Sequence, residues 1–275
     1  MALLPPHYLN AVVALGVPMA GNSVSYAATG FIYGLPAADD PDQFHLSLVT
    51  NRHVLEELRD AGLNSISVRF NRSPDVEPEV YSVPVVNPDG TEHWTAHPDD
   101  DCDVAVVGLN APKLEEDNLQ FAFFQGNPTG VVSEEHINGK QISEGDGVFI
   151  LGFPMGLSGE QRNYPIVRQG GIARIQDWVE GHSRSILVDA TIFPGNSGGP
   201  VCIKPEATAI EGTQRIDRAL LIGMVSGYLP YEDVAISQQT KEPRVVFTEN
   251  SGLAEVVPID VIKETIHLLR EKAKQ

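Results

Sequence analysis

Short runs of apolar, β-branched and aromatic residues recur along the chain, and turn-forming residues separate them. They fall into two groups of six. The first group is Asn10–Leu15, Gly30–Gly34, His45–Thr50, Ser65–Phe70, Tyr81–Val86 and Val104–Leu109. The second group is Gly147–Leu151, Ile166–Ile175, Ser185–Val188, Val201–Ile203, Leu220–Ser226 and Val245–Phe247. Many short strands of this kind are typical of an all-β protein, and two similar groups predict two units of similar architecture.

Two helices are predicted beside these strands. One covers Val54–Gly62, because its apolar residues recur at helical spacing and Gly62 is suited to end it. The other begins near Pro258, a residue suited to the first helical turn. An apolar stripe at helical spacing follows at Ile262, Ile266 and Leu269. Such a stripe indicates a helix that packs on the body of the protein.

Composition excludes several classes of protein. The 275 residues are 42% hydrophobic and 20% charged, which allows a large core and argues against disorder. The net charge of −18 disfavours binding to nucleic acid or to an anionic membrane surface. No apolar run approaches the roughly 20 residues needed to span a bilayer. We therefore expect a globular protein that binds neither nucleic acid nor membranes.

The N-terminal segment and the cysteines indicate the compartment. No Lys or Arg precedes the first apolar stretch, and Pro5 and Pro6 interrupt it, so we interpret Tyr8–Gly16 as a first strand rather than a signal peptide. Cys102 and Cys202 are too few for a disulfide framework and are expected to be small buried residues. These features predict a reducing, cytoplasmic location.

A serine surrounded by glycines lies between two predicted strands, in the segment Gly195–Pro200. Glycines allow positive φ angles and close approach of a substrate, and a tight turn can direct two amide N–H groups at one point. Such a point could stabilise the oxyanion that forms when Ser197 attacks a carbonyl. A simple hairpin turn is the alternative, because Gly-Asn and Gly-Gly pairs are common in turns.

A serine nucleophile needs a base, and the base needs a group that orients it. Among eight histidines, His53 is distinctive because it follows a predicted strand and opens a predicted helix. Asp103 precedes the apolar run that begins at Val104, where a carboxylate must be hydrogen-bonded or paired. Asp103 could instead be a simple turn residue, and Asp101 is an alternative orienting acid two positions earlier.

Seven segments together carry a family resemblance. Three of them resemble, in order, the His, Asp and Ser signatures of trypsin-like serine peptidases: Val49–Leu55, Asp101–Val107 and Gly195–Pro200. Four more are similar to parts of the HtrA (Deg) protease domain: Leu151–Leu157, Arg168–Ile175, Val188–Thr191 and Ser251–Ile259. The resemblance extends from about residue 10 to residue 268. No PDZ-like segment follows it, so the expectation is a protease domain without that module.

The resemblance implies a chymotrypsin-like fold of two six-stranded antiparallel β-barrels with a C-terminal α-helix. The expected divisions are 1–125 for the N-terminal barrel, 126–257 for the C-terminal barrel and 258–275 for a helix that packs on the barrels. His53 would take the proton of Ser197 and later protonate the leaving amine, while Asp103 stays ionised. The backbone N–H groups of Gly195 and Ser197 would form the oxyanion hole.

The substrate pocket is also assigned by resemblance. Thr191 matches the base of the pocket that receives the residue before the scissile bond (P1), and Ser226, Gly227 and Tyr228 match the strand that lines it. No carboxylate occupies the base, and Tyr228 stands where the family often has a small residue. The expected preference is for small or medium apolar P1 residues.

Two departures from the family affect regulation. Digestive-type relatives have an acid immediately before the serine, which pairs with a newly cut N-terminus; the neutral Asn196 makes that activation impossible here. The HtrA-like group shares the neutral position and controls activity by ordering its loops. The corresponding mobile loop would be Met155–Tyr164.

The sequence therefore predicts a serine endopeptidase that acts through an acyl-enzyme on a protein or peptide substrate. No cofactor is expected, and no cluster of His, Cys and Asp has convincing metal-ligand spacing. Two alternatives remain: a trypsin-fold binding or regulatory module whose activity is latent until an unknown partner orders the oxyanion loop, and an esterase-like acyl hydrolase.

Overall fold

The structure, a computed structural model, describes residues 3–21, 23–37, 40, 43–72, 76–127, 129–132, 136–137, 142–206, 213 and 215–274. Most of its regular structure is β, as the recurring short runs predict. The strands form one eight-stranded sheet and one closed barrel.

The first sheet comes from the N-terminal part of the chain. Its strands are β1 (Val12–Pro18), β2 (Val24–Pro36), β3 (Phe44–Thr50), β4 (Ser65–Phe70), β5 (Glu79–Pro84), β6 (Thr95–Ala96), β7 (Ala105–Gly108) and β8 (Phe124–Gln125). Seven of them follow the order β5-β4-β1-β2-β3-β7-β6, and β8 pairs in parallel with β2. Three helices accompany the sheet: α1 (Tyr8–Ala11), α2 (Arg52–Asp60) and α3 (Ala111–Glu116).

The predicted architecture of two six-stranded barrels is confirmed in part, because this sheet has eight strands and forms a half-barrel. Among the strands that the structure describes, no ladder joins β5 to β6. The segments that follow β5 and precede β6 meet through an isolated bridge between Val86 and Glu92 and through hydrogen bonds such as that from the N–H of His93 to the carbonyl of Val85. The contacts across this edge lie beyond β5, at the residues that follow Pro84.

The C-terminal half contains the closed barrel that the sequence predicts. Its strands are β9 (Gly147–Gly152), β10 (Ile166–Arg174), β11 (Ile186–Asp189), β12 (Pro200–Ile203), β13 (Leu221–Ile236) and β14 (Pro243–Pro258). They follow the order β10-β11-β14-β13-β12-β9 around the barrel. A 3₁₀ turn at Pro154–Gly156 follows β9, and a short helix α4 (Gln176–Val179) follows β10.

Strands β13 and β14 are longer than the sequence pattern predicts. They pair from Gly223↔Pro258 out to Ile236↔Pro243, as a two-stranded ribbon whose outer half is exposed. Tyr231 and Phe247 on this ribbon are 57% and 53% exposed. Pro230 and interspersed charges break the apolar pattern there, which is why only short runs were predicted.

Both faces of β2 are buried over residues 28–34. On β2, Phe31 and Tyr33 pack into one hydrophobic cluster and Ile32 into another, as the alternation of side chains along a strand requires. The cluster around Ile32 lies between the sheet and α2. The cluster around Phe31 continues into the barrel, so the two halves share one core.

The chain ends are helical. The interpretation of Tyr8–Gly16 as a strand is wrong for its first residues, because α1 forms after Pro5 and Pro6 and the strand begins only at Val12. Carbonyls of both prolines accept hydrogen bonds from the helix start. At the other end, the predicted C-terminal helix is confirmed as α5 (Ile259–Lys272).

The stripe on α5 contacts the body of the protein, with Ile262 and Ile266 buried and Leu269 packed against the core. No helix in the described part of the chain is long and apolar enough to cross a bilayer. The division into 1–125, 126–257 and 258–275 stays a prediction.

Candidate active site

Strand pairing brings His53 to Asp103. Thr50 at the end of β3 pairs with Ala105 at the start of β7, so the residues that follow β3 lie beside those that precede β7. The Oδ1 atom of Asp103 accepts a hydrogen bond of 3.1 Å from the backbone N–H of His53, and its Oδ2 lies 2.8 Å from His53 Nδ1. The side chain of Asn51 donates to the carbonyl of Asp103 at 2.8 Å, which fixes the backbone that presents the carboxylate.

This contact fixes the imidazole. A carboxylate only accepts, so the Nδ1–H of His53 donates to Asp103 and Nε2 is left as the basic nitrogen. The hydrogen bond to Asp103 raises the pKa of His53 above its ordinary value, although partial burial opposes the rise. The alternative acid, Asp101, is exposed, and the structure assigns the contact to Asp103.

Ser197 lies in the loop between β11 and β12 and lines one cavity together with His53. Among the described residues, no hydrogen bond joins Ser197 Oγ to the His53 ring. In enzymes without bound substrate such bonds are often long and tighten when substrate binds. The structure therefore brings the predicted nucleophile, base and acid to one place.

A turn over Phe193–Asn196 orients the peptide before Gly195. The N–H of Asn196 donates to the carbonyl of Phe193 at 3.0 Å, and Gly195 has a φ of 98°. Proline followed by a glycine of positive φ is typical of a type II turn. The carbonyl of Pro194 accepts a 2.7 Å hydrogen bond from the N–H of Met155. Because a trans peptide places C=O and N–H on opposite sides, the N–H of Gly195 is directed away from Met155.

Two backbone donors beside the serine have no acceptor. In the part of the chain that the structure describes, neither the N–H of Gly195 nor that of Ser197 donates a hydrogen bond. Gly195 is buried, and buried N–H groups without a partner are rare. Free amide donors next to a nucleophile are suited to bind a developing oxyanion.

Thr29 on β2 connects the serine loop to the first sheet. Its hydroxyl donates to the carbonyl of Gly195 at 2.6 Å and accepts from the N–H of Phe153 at 3.0 Å. Its N–H donates to the carbonyl of Ser197 at 2.8 Å, and its own carbonyl accepts from Thr50 Oγ1 at 2.9 Å. Thr29 is not among the residues predicted for the site, because its partners in the serine loop and at Phe153 lie more than a hundred residues away in the sequence.

The segment predicted as a mobile loop, Met155–Tyr164, is tied to the first sheet. The guanidinium of Arg69 donates to the side chain of Ser158 and to the carbonyls of Gly159 and Glu160, the last two at 2.7 and 3.0 Å. The side chain of Asn163 donates to the carbonyl of Val12 at 2.8 Å. These contacts hold the loop Met155–Tyr164 in place. The first N–H of this loop, that of Met155, orients the Pro194–Gly195 peptide.

The predicted substrate residues separate into two sets. Ser226 and Gly227 line a cavity of about 420 Å³ beside Asp103. Thr191 is exposed, and Tyr228 is half-buried against the core. Neither of these two lines that cavity or the one that His53 shares with Ser197.

The cysteines stay reduced and buried, as predicted. Cys102 and Cys202 are both free, and burial raises the pKa of each thiol. A thiol of raised pKa is a poor nucleophile at neutral pH. Within the described residues, no three His, Cys, Asp or Glu side chains come together as metal ligands.

Comparison with known proteins gives one result. Comparison with curated proteins finds no relative at significant similarity. A family model described as a trypsin-like peptidase domain matches residues 28–206, a range that contains His53, Asp103 and Ser197. Since this match covers more than half of the chain, the protein belongs to the trypsin-like peptidase family.

Proposed function

We propose that the protein is a serine endopeptidase that hydrolyses peptide bonds through Ser197, His53 and Asp103. The observation that carries the proposal is the geometry of the His53–Asp103 pair: the Nδ1–Oδ2 distance of 2.8 Å leaves Nε2 as the free nitrogen of a residue that lines one cavity with Ser197. Family membership supports the same chemistry.

In the proposed reaction, Ser197 Oγ attacks the substrate carbonyl while His53 Nε2 takes its proton. The N–H groups of Gly195 and Ser197 stabilise the oxyanion, and loss of one such donor typically costs about 3–4 kcal/mol of transition-state stabilisation. His53 then protonates the leaving amine, and water repeats the sequence on the acyl-enzyme. Asp103 remains ionised throughout.

The finer features of the proposal are an HtrA-like character and a preference for small or medium apolar P1 residues. The P1 preference rests on the lack of a carboxylate at position 191, which is Thr191, and on Tyr228 in the strand assigned to line the P1 pocket. A reducing, cytoplasmic setting is consistent with the free, buried Cys102 and Cys202.

The test is turnover of casein, of a P1-varied peptide library and of a simple ester by the wild type and by Ser197→Ala. Cleavage of casein that is lost in the variant supports the endopeptidase. Ester turnover without peptide cleavage favours the acyl hydrolase, and no turnover of either favours the binding module. Equal or faster cleavage after Arg contradicts the P1 preference.

A further inference from the structure

A second cavity is lined by His53 and shares no residue with the cavity beside Asp103. It has a volume of about 450 Å³ and is bounded by β1, β2, α2, β4 and the serine loop. His53, Gly195 and Ser197 form its inner edge. The volume lies within the range of sites that hold small ligands or large side chains.

The wall of this cavity is apolar. Leu15, Leu58, Leu63 and Ile66 contribute aliphatic side chains to it, and these four also belong to or pack against the cluster around Ile32. Apart from His53, the only ionisable residue among those lining it is Glu57, which is exposed at the helix surface.

Small residues provide the space. Ala27 and Ala28 on β2 and Ala61 at the end of α2 line the same cavity, where longer side chains would fill it. Ala27 and Ala61 are exposed, so the cavity opens to solvent at their side. An apolar hollow that is open to solvent gains free energy when an apolar group removes its surface from water.

The position of the cavity identifies the part of a substrate that reaches it. In the proposed reaction the leaving nitrogen receives its proton from His53, so the residue after the scissile bond begins beside this ring. Ser226 and Gly227, assigned to the acyl side, line the cavity beside Asp103 and share none of this one. The apolar cavity therefore lies on the leaving-group side.

We propose that this cavity binds a large aliphatic or aromatic side chain of the residue that follows the scissile bond, and that it contributes substantially to substrate selectivity. This inference rests on the proposed serine peptidase activity. It adds to the expected P1 preference a second determinant, built from β1, β2 and α2 rather than from the barrel.

Acyl transfer tests the inference separately from the activity. An activated ester with a small apolar acyl group acylates Ser197 and releases its alcohol, so no substrate group yet occupies the leaving-group side. An added amino-acid amide then competes with water: its nitrogen forms a bond to the acyl carbon, the bond to Ser197 Oγ breaks, and the amine proton returns to Ser197 through His53. The ratio of transfer to hydrolysis measures binding at the cavity.

The measured quantity is the amide concentration at which half of the acyl-enzyme is transferred to the amide rather than hydrolysed. For leucinamide and phenylalaninamide this concentration should be about tenfold or more below that for glycinamide, because burial of a large apolar side chain strengthens binding by at least about tenfold. Lysinamide should behave like glycinamide. Equal transfer to leucinamide and glycinamide would overturn the inference, and so would a preference for lysinamide through Glu57. In both cases continued ester turnover would show that the proposed activity itself is present. Failure to form an acyl-enzyme at all would overturn both.

Two variants at exposed positions localise the effect. Ala61→Glu places a carboxylate at the cavity and should bring leucinamide close to glycinamide. Asn64→Glu adds the same charge nearby at an exposed residue that does not line the cavity, and should leave the preference unchanged. If Ala61→Glu still preferred leucinamide over glycinamide as strongly as the wild type, the assignment of this cavity to the residue after the scissile bond would be contradicted.

Discussion

The hydroxyl of Thr29 donates a 2.6 Å hydrogen bond to the carbonyl oxygen of Gly195. This bond joins β2 of the first sheet to the loop that carries Ser197 in the second half of the molecule. On the other side of the same loop, the N–H of Met155 binds the carbonyl of Pro194. Asn196 carries no charge for an ion pair, and these two bonds hold the loop instead.

Substitution of Thr29 by Val tests this connection. The change keeps the shape of the side chain but leaves the buried carbonyl of Gly195 and the N–H of Phe153 without a partner, which typically costs about 1–3 kcal/mol each. We expect a lower free energy of unfolding and a fall in kcat larger than any change in KM. Urea denaturation and steady-state kinetics measure the two effects.

The matched control is Thr29→Ser, which retains the hydroxyl. It should keep most of the activity that Thr29→Val loses. If the two variants have the same kcat, the hydroxyl does not position the serine loop.

The backbone at Gly195 supplies a second test. Gly195→Ala introduces a Cβ 2.4 Å from the carbonyl oxygen of Phe153 at a φ of 98°, so the turn must shift. Loss of the correctly placed N–H should lower kcat about 10²–10³-fold, the range seen when one oxyanion donor is removed. Gly90→Ala is the control, because Gly90 also has a positive φ, 86°, but open space around it. Unchanged kcat in Gly195→Ala would exclude this N–H from the reaction.

The loop Met155–Tyr164 should depend on Arg69. Arg69→Gln removes the guanidinium that binds Ser158, Gly159 and Glu160. We expect faster hydrogen exchange across the loop and a lower kcat, because Met155 then holds Pro194 less firmly. Hydrogen exchange by mass spectrometry provides the readout.

Arg59→Gln is the matched control for that experiment. Among the described residues, Arg59 pairs with exposed Asp60 and Glu92, far along the chain from the loop, and such surface pairs contribute little. If Arg69→Gln and Arg59→Gln show the same hydrogen exchange in the loop and the same kcat, the loop does not control the site.

The pH dependence follows from His53. In the proposed reaction its neutral form accepts the proton of Ser197, and the hydrogen bond to Asp103 raises the pKa of His53 above the ordinary 6.5. The acid limb of kcat/KM should therefore have its midpoint above pH 6.5. Asp103→Asn removes the cause of the rise, so the midpoint should move down, and kcat at the plateau should fall about 10⁴-fold because the ring loses its correct tautomer. A midpoint that stays fixed in Asp103→Asn would contradict the pairing.

Local sequence pattern was enough to single out the three side chains of the proposed triad. His53 follows β3 directly, Asp103 precedes β7 directly, and Ser197 lies among glycines, so each is marked by its neighbours in the chain. The register of β3 with β7, which brings the first two together, is a feature of the tertiary structure and was not predicted.

The supports of the site could not be predicted in this way. Thr29 and Arg69 act on partners 166 and about 90 residues away, and their own neighbours in sequence give no sign of those contacts. Helix α1 forms after the turn at Pro5, a local exception that the alternating pattern conceals.

Reaction with a fluorophosphonate probe, followed by mass spectrometric mapping, tests the central claim most directly. The probe forms a stable bond only with a serine whose base and oxyanion donors are in place. We predict one phosphonylated residue, Ser197, with labelling that is lost in Ser197→Ala and strongly slowed in His53→Ala. Absence of labelling in the wild type, or labelling at another residue, would contradict the assignment of Ser197, His53 and Asp103 as a working triad.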